Sequence, residues 1–204
     1  MVEYALLTFA SLFAIVDPFA AIPPFLAMTA HDTVEQRRRM AKTACIACWF
    51  VMTLFAVLGL KLFRLFGITL PAFQIAGGLI LLLSALDMLR AQRSPLKETA
   101  EEMAAGMAKD DIAITPLAIP ILSGPGAITT AIVLSGQAHD WGHRFIIYAS
   151  IAGVSGLCYL VLAAVSSGAS KLSPIALNAI TRLMGLLLAA IGVQFILTAL
   201  NWAK

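Results

Sequence analysis

The sequence contains three sets of side chains that could do chemistry, and the first is a group of cysteines. Cys45 and Cys48 form a C-x-x-C motif, which in many proteins is a dithiol that exchanges electrons. Both lie in a long apolar stretch, as does Cys158. Cysteines inside apolar helices are usually inert packing residues. We therefore expect these cysteines to pack and to take no part in redox chemistry.

The second set is a pair of histidines four residues apart. His139 and His143 flank Asp140 and Trp141, and histidines at this spacing can bind a metal ion. They fall between two apolar stretches, where a tryptophan anchors a protein at the membrane surface. We expect no metal here. The sequence also shows no set of nucleophile and base and no phosphate-binding glycine loop. We therefore expect no cofactor and no enzyme, and an intramembrane enzyme is kept only as an alternative.

The third set centres on Asp17, a carboxylate within the first apolar stretch. A charged residue inside a membrane-spanning segment is a functional hypothesis by default. Asp17 is followed by Pro18, and proline is favoured at the first position of a helix. We predict that Asp17 caps a helix beginning at Pro18. The carboxylate could also receive a substrate ammonium group or carry a proton.

The fourth apolar stretch is interrupted in the same manner by Gly124 and Pro125. We predict a second helix start here, with a weaker cap. Each interruption exposes backbone polar groups at membrane depth, which is tolerated only inside protein or against a watery cavity. Each restarted helix points its positive end into that space. Prolines that merely kink two helices are the structural alternative.

The two interruptions occupy equivalent places in an internal repeat. Adding 107 to a residue number in the first half gives a matching residue in the second half. The cysteines are not repeated, because Ala152 and Ser155 stand at the positions equivalent to Cys45 and Cys48. The matching pairs are Pro18 with Pro125, Gly78 with Gly185, Arg37 with Arg144, Thr8 with Thr115, Ala20 with Ala127, Ala56 with Ala163 and Ile68 with Ile175.

The composition is that of an integral membrane protein, with 60% hydrophobic and only 12% charged residues. The apolar stretches are long enough to cross a bilayer, which takes roughly 20 helical residues. We expect a retained first helix and no signal peptide, because Glu3 replaces the usual basic region. The predicted spans are residues 4–29, 43–61, 65–88, 112–137, 145–166 and 182–201.

The sequence thus predicts an all-α protein of six transmembrane helices built from two three-helix repeats. An odd number of crossings per repeat inverts the second copy in the membrane, as in many secondary transporters. The first repeat covers residues 1–89, a charged cytoplasmic linker covers 90–111, and the second repeat covers 112–204.

The lysines and arginines predict the orientation, because cytoplasmic loops carry an excess of them. With both termini outside, ten of the fourteen lie on the inner side, led by the run Arg37–Arg39. The net charge of +3 reflects this bias, and we expect no nucleic-acid partner. The ten are Arg37, Arg38, Arg39, Lys42, Arg90, Arg93, Lys97, Lys109, Lys171 and Arg182; the four outside are Lys61, Arg64, Arg144 and Lys204.

The third and sixth spans contain small and polar residues with less specific roles. Gly77, Gly78, Gly185 and Gly192 would allow close approach of helices. Asp87 aligns with Gln194 in the repeat, and the pair could serve in coupling or gating. Asp87 could equally reach Arg90 at the membrane surface.

Two segments of this chain resemble the signature of the MarC family of inner-membrane proteins. The first runs from Asp17-Pro18 through Ile22-Pro23-Pro24 to Thr29, and the second from Thr115-Pro116 through Gly124-Pro125-Gly126 to Thr129. Arg182-Leu183-Met184-Gly185 adds to the resemblance. It implies a six-helix protein of the bacterial inner membrane, in which the termini placed outside by the charge bias would be periplasmic in a Gram-negative source. It also implies transport of neutral amino acids and a distant similarity to the LysE group of exporters.

We therefore expect a secondary transporter for small neutral amino acids of the glycine, alanine and serine class, with proton coupling and export both left open. A channel or a carrier for another small solute is the alternative. One half would rock against the other around a substrate held between the two interruptions. Apart from substrate and lipid bilayer no partner is implied, and the oligomeric state is left open. The predicted substrate-binding residues are Asp17, Pro18, Phe19, Ala20, Ala21, Pro23, Ser123, Gly124, Pro125, Gly126, Ala127 and Thr129.

Overall fold

The computed structural model describes residues 1–29, 32–90, 117, 121–167 and 174–202. These parts of the chain form seven helices of at least seven residues and no β-strand. The predicted linker at 90–111 lies, apart from Arg90, outside the described residues. The helices are α1 (Val2–Val16), α2 (Ile22–Met28), α3 (Val34–Phe66), α4 (Leu70–Leu89), α5 (Pro125–Gln137), α6 (Trp141–Ser166) and α7 (Pro174–Trp202).

Four of these helices, α3, α4, α6 and α7, are long and apolar enough to cross a membrane. They correspond to the second, third, fifth and sixth predicted spans. By contrast, α1 has 15 residues and α5 has 13, so each is about 20 Å long and falls short of the roughly 30 Å hydrocarbon core. The first and fourth predicted spans are therefore the ones in which the helix is interrupted.

Local sequence signals place the helix boundaries several residues away from the predicted spans. Helix α3 begins at Val34, because Thr33 and Gln36 form a capping box ahead of the basic run. It continues to Phe66 and ends at Gly67, whose φ of 67° suits glycine. Thr69 caps the start of α4, with Pro71 in the first turn. The third span thus begins about five residues later than predicted, since residues 65–69 belong to this turn and the end of α3.

The helices pack mainly across the two halves of the chain. Helix α4 lies against α7, and α3 lies against both α6 and α5. Helix α1 lies against α6, α5 and α7. The α3–α6 pair and the α4–α7 pair are both antiparallel. Arg38 near the start of α3 donates a hydrogen bond to Ser167 at the end of α6 (3.0 Å), and Cys48 contacts Ser155 near the middle of both helices.

Glycines allow α4 and α7 to approach until their backbones touch. A Cβ atom added at Gly78 would lie 2.6 Å from the carbonyl oxygen of Gly192, and one at Gly192 would lie 2.8 Å from that of Gly78. One at Gly185 would meet the Cβ of Met88 at 3.0 Å. Gly77 is packed against Thr129 of α5. The prediction that these glycines serve close helix approach is confirmed.

Candidate functional site

The first interruption is organised by Asp17, which lies just after α1. Asp17 has a left-handed backbone with a φ of 45°, a conformation in which aspartate is enriched among non-glycine residues. Its Oδ1 accepts hydrogen bonds from the backbone amides of Phe19 and Ala20, each at 3.2 Å. The side chain is 1% exposed. Asp17 therefore holds a tight turn inside the protein and brings a carboxyl group there.

The predicted helix start at Pro18 is wrong. Residues 18–21 form the turn, and α2 begins at Ile22 with Ala21 as its N-cap. The reason lies in Pro23 and Pro24, which lack an amide donor and are tolerated in the first turn of a helix but not deeper. Asp17 is consequently the C-cap of α1 and not the N-cap of α2.

The second interruption matches the prediction. Ile121 and Leu122 lie in a π-helical turn, Ser123 and Gly124 are not helical, and α5 begins at Pro125. Gly124 is the N-cap and offers no side-chain oxygen to the first amides of the helix. The amides of Gly126 and Ala127 therefore have no intrahelical acceptor. Together with the helix dipole they make this end of α5 electropositive.

The start of α5 faces a small cavity formed by four helices. Its volume is about 10 Å³, which is room for roughly one water molecule. Gly126 is the closest point of contact, since a Cβ there would lie 2.7 Å from Cδ2 of Leu81 and 3.5 Å from Cγ2 of Ile15. This arrangement is closed to any organic solute. The cavity is lined by Ile15, Leu81, Ser84, Gly124, Pro125, Gly126, Ala127 and Leu188.

The structure brings only part of the predicted site together. Gly124, Pro125, Gly126 and Ala127 line the cavity. Ser123 and Thr129 are buried next to this group along the chain, with Thr129 against Gly77 of α4. The residues of the first interruption do not line the cavity, although Ile15, just before them, does. These residues are Asp17, Pro18, Phe19, Ala20, Ala21 and Pro23.

Besides Asp17, two residues are predicted to serve in coupling or gating, and both lie away from the cavity lining. Asp87 is half-buried on α4. Gln194 is exposed on α7, and its Nε2 donates to the hydroxyl of Thr198 one turn further along (3.2 Å). Nothing in their geometry brings them to the interruptions.

The sequence reasoning missed the residues that α1, α4 and α7 contribute to the cavity. Ser84 is the polar one among them and is buried on α4. It lies on the same face as Gln74, whose buried Nε2 has no hydrogen-bond partner among the described residues. The sequence does carry a signal for this face, because Gln74, Gly77 and Ser84 are small or polar residues at helical spacing in an otherwise apolar span.

The cysteines and histidines lie apart from the cavity. Cys45, Cys48 and Cys158 are buried, and no disulfide bond joins them in the described parts of the chain. Within the described ranges, no group of three or more metal-binding side chains occurs. Asp140 caps α6 by accepting from the backbone amide and from Nδ1 of His143, both at 2.8 Å. These hydrogen bonds, the backbone one first, lower the pKa of the Asp140 carboxyl.

Comparisons with known proteins agree with the membrane character of the fold. Residues 2–203 match the family described as MarC family integral membrane proteins. A UPF0056 membrane protein of Methanocaldococcus jannaschii is 38% identical over 98% of both chains. YvbG of Bacillus subtilis is 36% identical over 96% of this chain and 93% of its own, and YhcE of Escherichia coli is 32% identical over 95% and 90%. No solved structure matches the chain. The chain is an integral membrane protein and belongs to the MarC family.

Proposed function

We propose that this protein is a secondary transporter for small neutral amino acids, built as an inverted repeat and seen here in a closed state. The observation that carries the proposal is the pair of helix interruptions at equivalent positions, the second of which opens onto a cavity between four helices. Interrupted helices at equivalent points of two halves are typical of substrate sites in secondary transporters.

Helix capping supports the duplication. Helices α3 and α6 begin at Val34 and Trp141, which are 107 residues apart. Their N-caps, Thr33 and Asp140, are separated by the same distance, and each accepts from the amide three residues further on. Two copies of one ancestral unit would begin their second helix in this way.

The helix pairs support inversion of the second copy. Cys48 and Ser155 are equivalent positions, and they meet each other across antiparallel α3 and α6. On α4 and α7 the contact of Gly78 with Gly192 is mirrored by that of their equivalents, Gly185 and Ala85. Two copies related by an axis in the membrane plane bring each helix antiparallel to its own equivalent.

The charges at the two interruptions suit an amino acid. The first amides and the positive end of α5 would hold the substrate carboxylate. The Asp17 carboxylate, in the other interruption, would face the ammonium group or exchange a coupling proton. Ser84 adds a hydroxyl beside the positive helix end. The apolar remainder of the lining favours a small, uncharged side chain.

To open the site to either side of the membrane, Leu81 and Ile15 would have to move away from Gly126. Rocking of one rigid half against the other, expected from the repeat, does not fit the contacts, because α4 and α3 pack chiefly on helices of the other half. We infer instead that the α4–α7 pair moves relative to α1, α5 and the α3–α6 pair. The orientation that goes with the proposal has both termini outside the inner membrane.

A flux assay in proteoliposomes tests the proposal. Purified protein is given labelled glycine, alanine and serine, with and without a pH gradient. Saturable uptake is expected for the wild type. Gly126→Val should reduce the initial rate about tenfold or more, because its side chain would crowd Leu81 and Ile15 at the site, and overpacking costs about 1–3 kcal/mol.

Gly136→Val is the matched control on the same helix. A Cβ at Gly136 would lie 2.8 Å from Cδ2 of Leu70, nearly the same contact as at Gly126 but at the other end of α5. Equal losses in both variants would attribute the effect to packing and remove the site from the start of α5. No flux from folded wild-type protein would overturn the amino-acid assignment.

A further inference from the structure

A groove of about 440 Å³ runs along the outer surface between α3 and α6. The part of the groove formed by Ile46 and Trp49 is apolar, and both side chains are exposed on the outer surface of the protein. Tyr159 lies on the opposite wall. The groove lies on the membrane-spanning parts of both helices, so hydrocarbon chains are its natural surroundings. The lining residues are Lys42, Cys45, Ile46, Trp49, Ala152, Ser155, Gly156 and Tyr159.

The groove exists because the repeat is asymmetric at this point. Trp49 and Gly156 are equivalent positions and both line the groove. On α3 the position carries an indole, whereas on α6 it carries no side chain. A Cβ added at Gly156 would meet nothing within 4 Å. An open slot beside an aromatic wall is therefore left at the contact between the two helices.

One end of the groove is basic. Lys42 lines it, and Arg38 lies one turn earlier on the same face of α3. Arg38 also donates a hydrogen bond to Ser167 of α6, which ties together the two helices that form the groove. Arg39 adds a third positive charge at the flank, and all three basic side chains are exposed. Glu35, a further turn away, leaves the rim with a net positive charge.

We propose that this groove is a specific site for an anionic phospholipid. The phosphate group would lie at the rim formed by Arg38 and Lys42, and an acyl chain would lie along Ile46 and Trp49. Trp49 lies seven residues, or about 10 Å, further along α3 than Lys42. At that distance from its phosphate group, a phospholipid presents its acyl chains. Each basic residue near the membrane surface increases the attraction of an anionic lipid by about fivefold.

Quenching of Trp49 fluorescence by brominated lipids tests the site. Trp141 and Trp202 are replaced by Phe so that only Trp49 emits. The protein is reconstituted in phosphatidylcholine vesicles with a small fraction of either brominated phosphatidylglycerol or brominated phosphatidylcholine. Phosphatidylglycerol should quench several-fold more effectively at the same fraction. Equal quenching by the two lipids would overturn the proposal.

Three variants test the basic rim and the open space at Gly156 separately. Arg38→Gln combined with Lys42→Gln should abolish the preference for the anionic lipid, whereas Lys61→Gln, at the other end of α3, should leave it unchanged. Gly156→Phe should reduce quenching by both lipids, because a Cβ at this position enters open space and the ring would occupy the groove beside Trp49. Persistence of the preference in the double variant would overturn the assignment of the rim.

A second copy of the chain seated in the groove would give a different result. Trp49 would then be shielded from both brominated lipids, and Ile46→Cys would form disulfide-linked dimers in the membrane. That pattern would replace the lipid site by a subunit interface. The readout needs no transport, so the lipid proposal stands or falls independently of the substrate.

Discussion

At the scale of single residues, Asp17 has a structural role and a proposed functional role, and substitution can separate the two. Its Oδ1 holds the turn through the amides of Phe19 and Ala20, and in the proposed mechanism its carboxyl group would meet the substrate or a proton. Asparagine keeps an oxygen acceptor and tolerates the left-handed backbone, whereas alanine does neither.

We expect the free energy of unfolding of Asp17→Asn to stay close to that of the wild type, since the Oδ1 acceptor and the turn are preserved. Its transport should nevertheless fall at least tenfold or lose its dependence on pH. Asp17→Ala should lose the two hydrogen bonds and strain the backbone, at a cost of about 1–3 kcal/mol. Thermal unfolding in detergent and flux in proteoliposomes measure the two effects. Normal transport by Asp17→Asn at every pH would exclude the carboxylate from the mechanism.

Asp140 gives a pH-dependent prediction at the start of α6. Its pKa is lowered in the folded protein, so its contribution to stability is present above its unfolded pKa of about 3.8–3.9. That contribution is lost as the pH falls through the folded pKa. The stability difference between wild type and Asp140→Ala should therefore shrink at acid pH.

Asp140→Thr is the matched comparison, because threonine is the cap at the equivalent position of α3 and does not titrate. Its advantage over Asp140→Ala should stay constant as the pH falls. Thermal unfolding of the three proteins from pH 7 to pH 3 measures both trends. A constant difference between wild type and Asp140→Ala would show that the carboxylate is not the titrating cap.

At the scale of helices, hydropathy predicts the four continuous spans, and proline and glycine mark the two interrupted ones. The predicted helix start at Pro18 overlooks a readable signal, because such a helix would place Pro23 and Pro24 beyond its first turn. What the sequence could not predict is the left-handed backbone of Asp17. The left-handed backbone of Asp17 and the hydrogen bonds of its side chain stabilise a turn over 18–21. Nor could the sequence predict the closed cavity, which depends on how Leu81 and Ile15 pack on Gly126.

The α4–α7 interface predicts a large difference between two glycine substitutions. Gly192→Ala should destabilise the protein by about 1–3 kcal/mol, because the added Cβ would meet the rigid backbone oxygen of Gly78 at 2.8 Å. Gly156→Ala, on α6, should cause no loss of stability, since its Cβ enters open space. Thermal unfolding in one detergent compares them. Equal stability of the two variants would contradict the close contact described here.

At the scale of the whole molecule, the proposed inverted repeat predicts that equivalent helix starts lie on opposite sides of the membrane. In a background without the three native cysteines, Glu35→Cys precedes the membrane part of α3, and His139→Cys precedes α6. An impermeant maleimide added to intact cells should label His139→Cys and Glu3→Cys but not Glu35→Cys. Lysed cells, in which all three should react, provide the control. Labelling of Glu35→Cys and His139→Cys from the same side would exclude inversion.

The packing of the first-half helices on second-half helices also sets the order in which the protein is assembled. During synthesis α1, α3 and α4 enter the bilayer before α6 and α7 exist, yet α4 finds its principal contact in α7. Until that last helix emerges from the ribosome, Gly78 of α4 lacks the backbone of Gly192, against which it packs in the finished protein. A nascent chain that stops short of α7 is therefore an incomplete fold. The final helix completes the close contact that holds α4 in place.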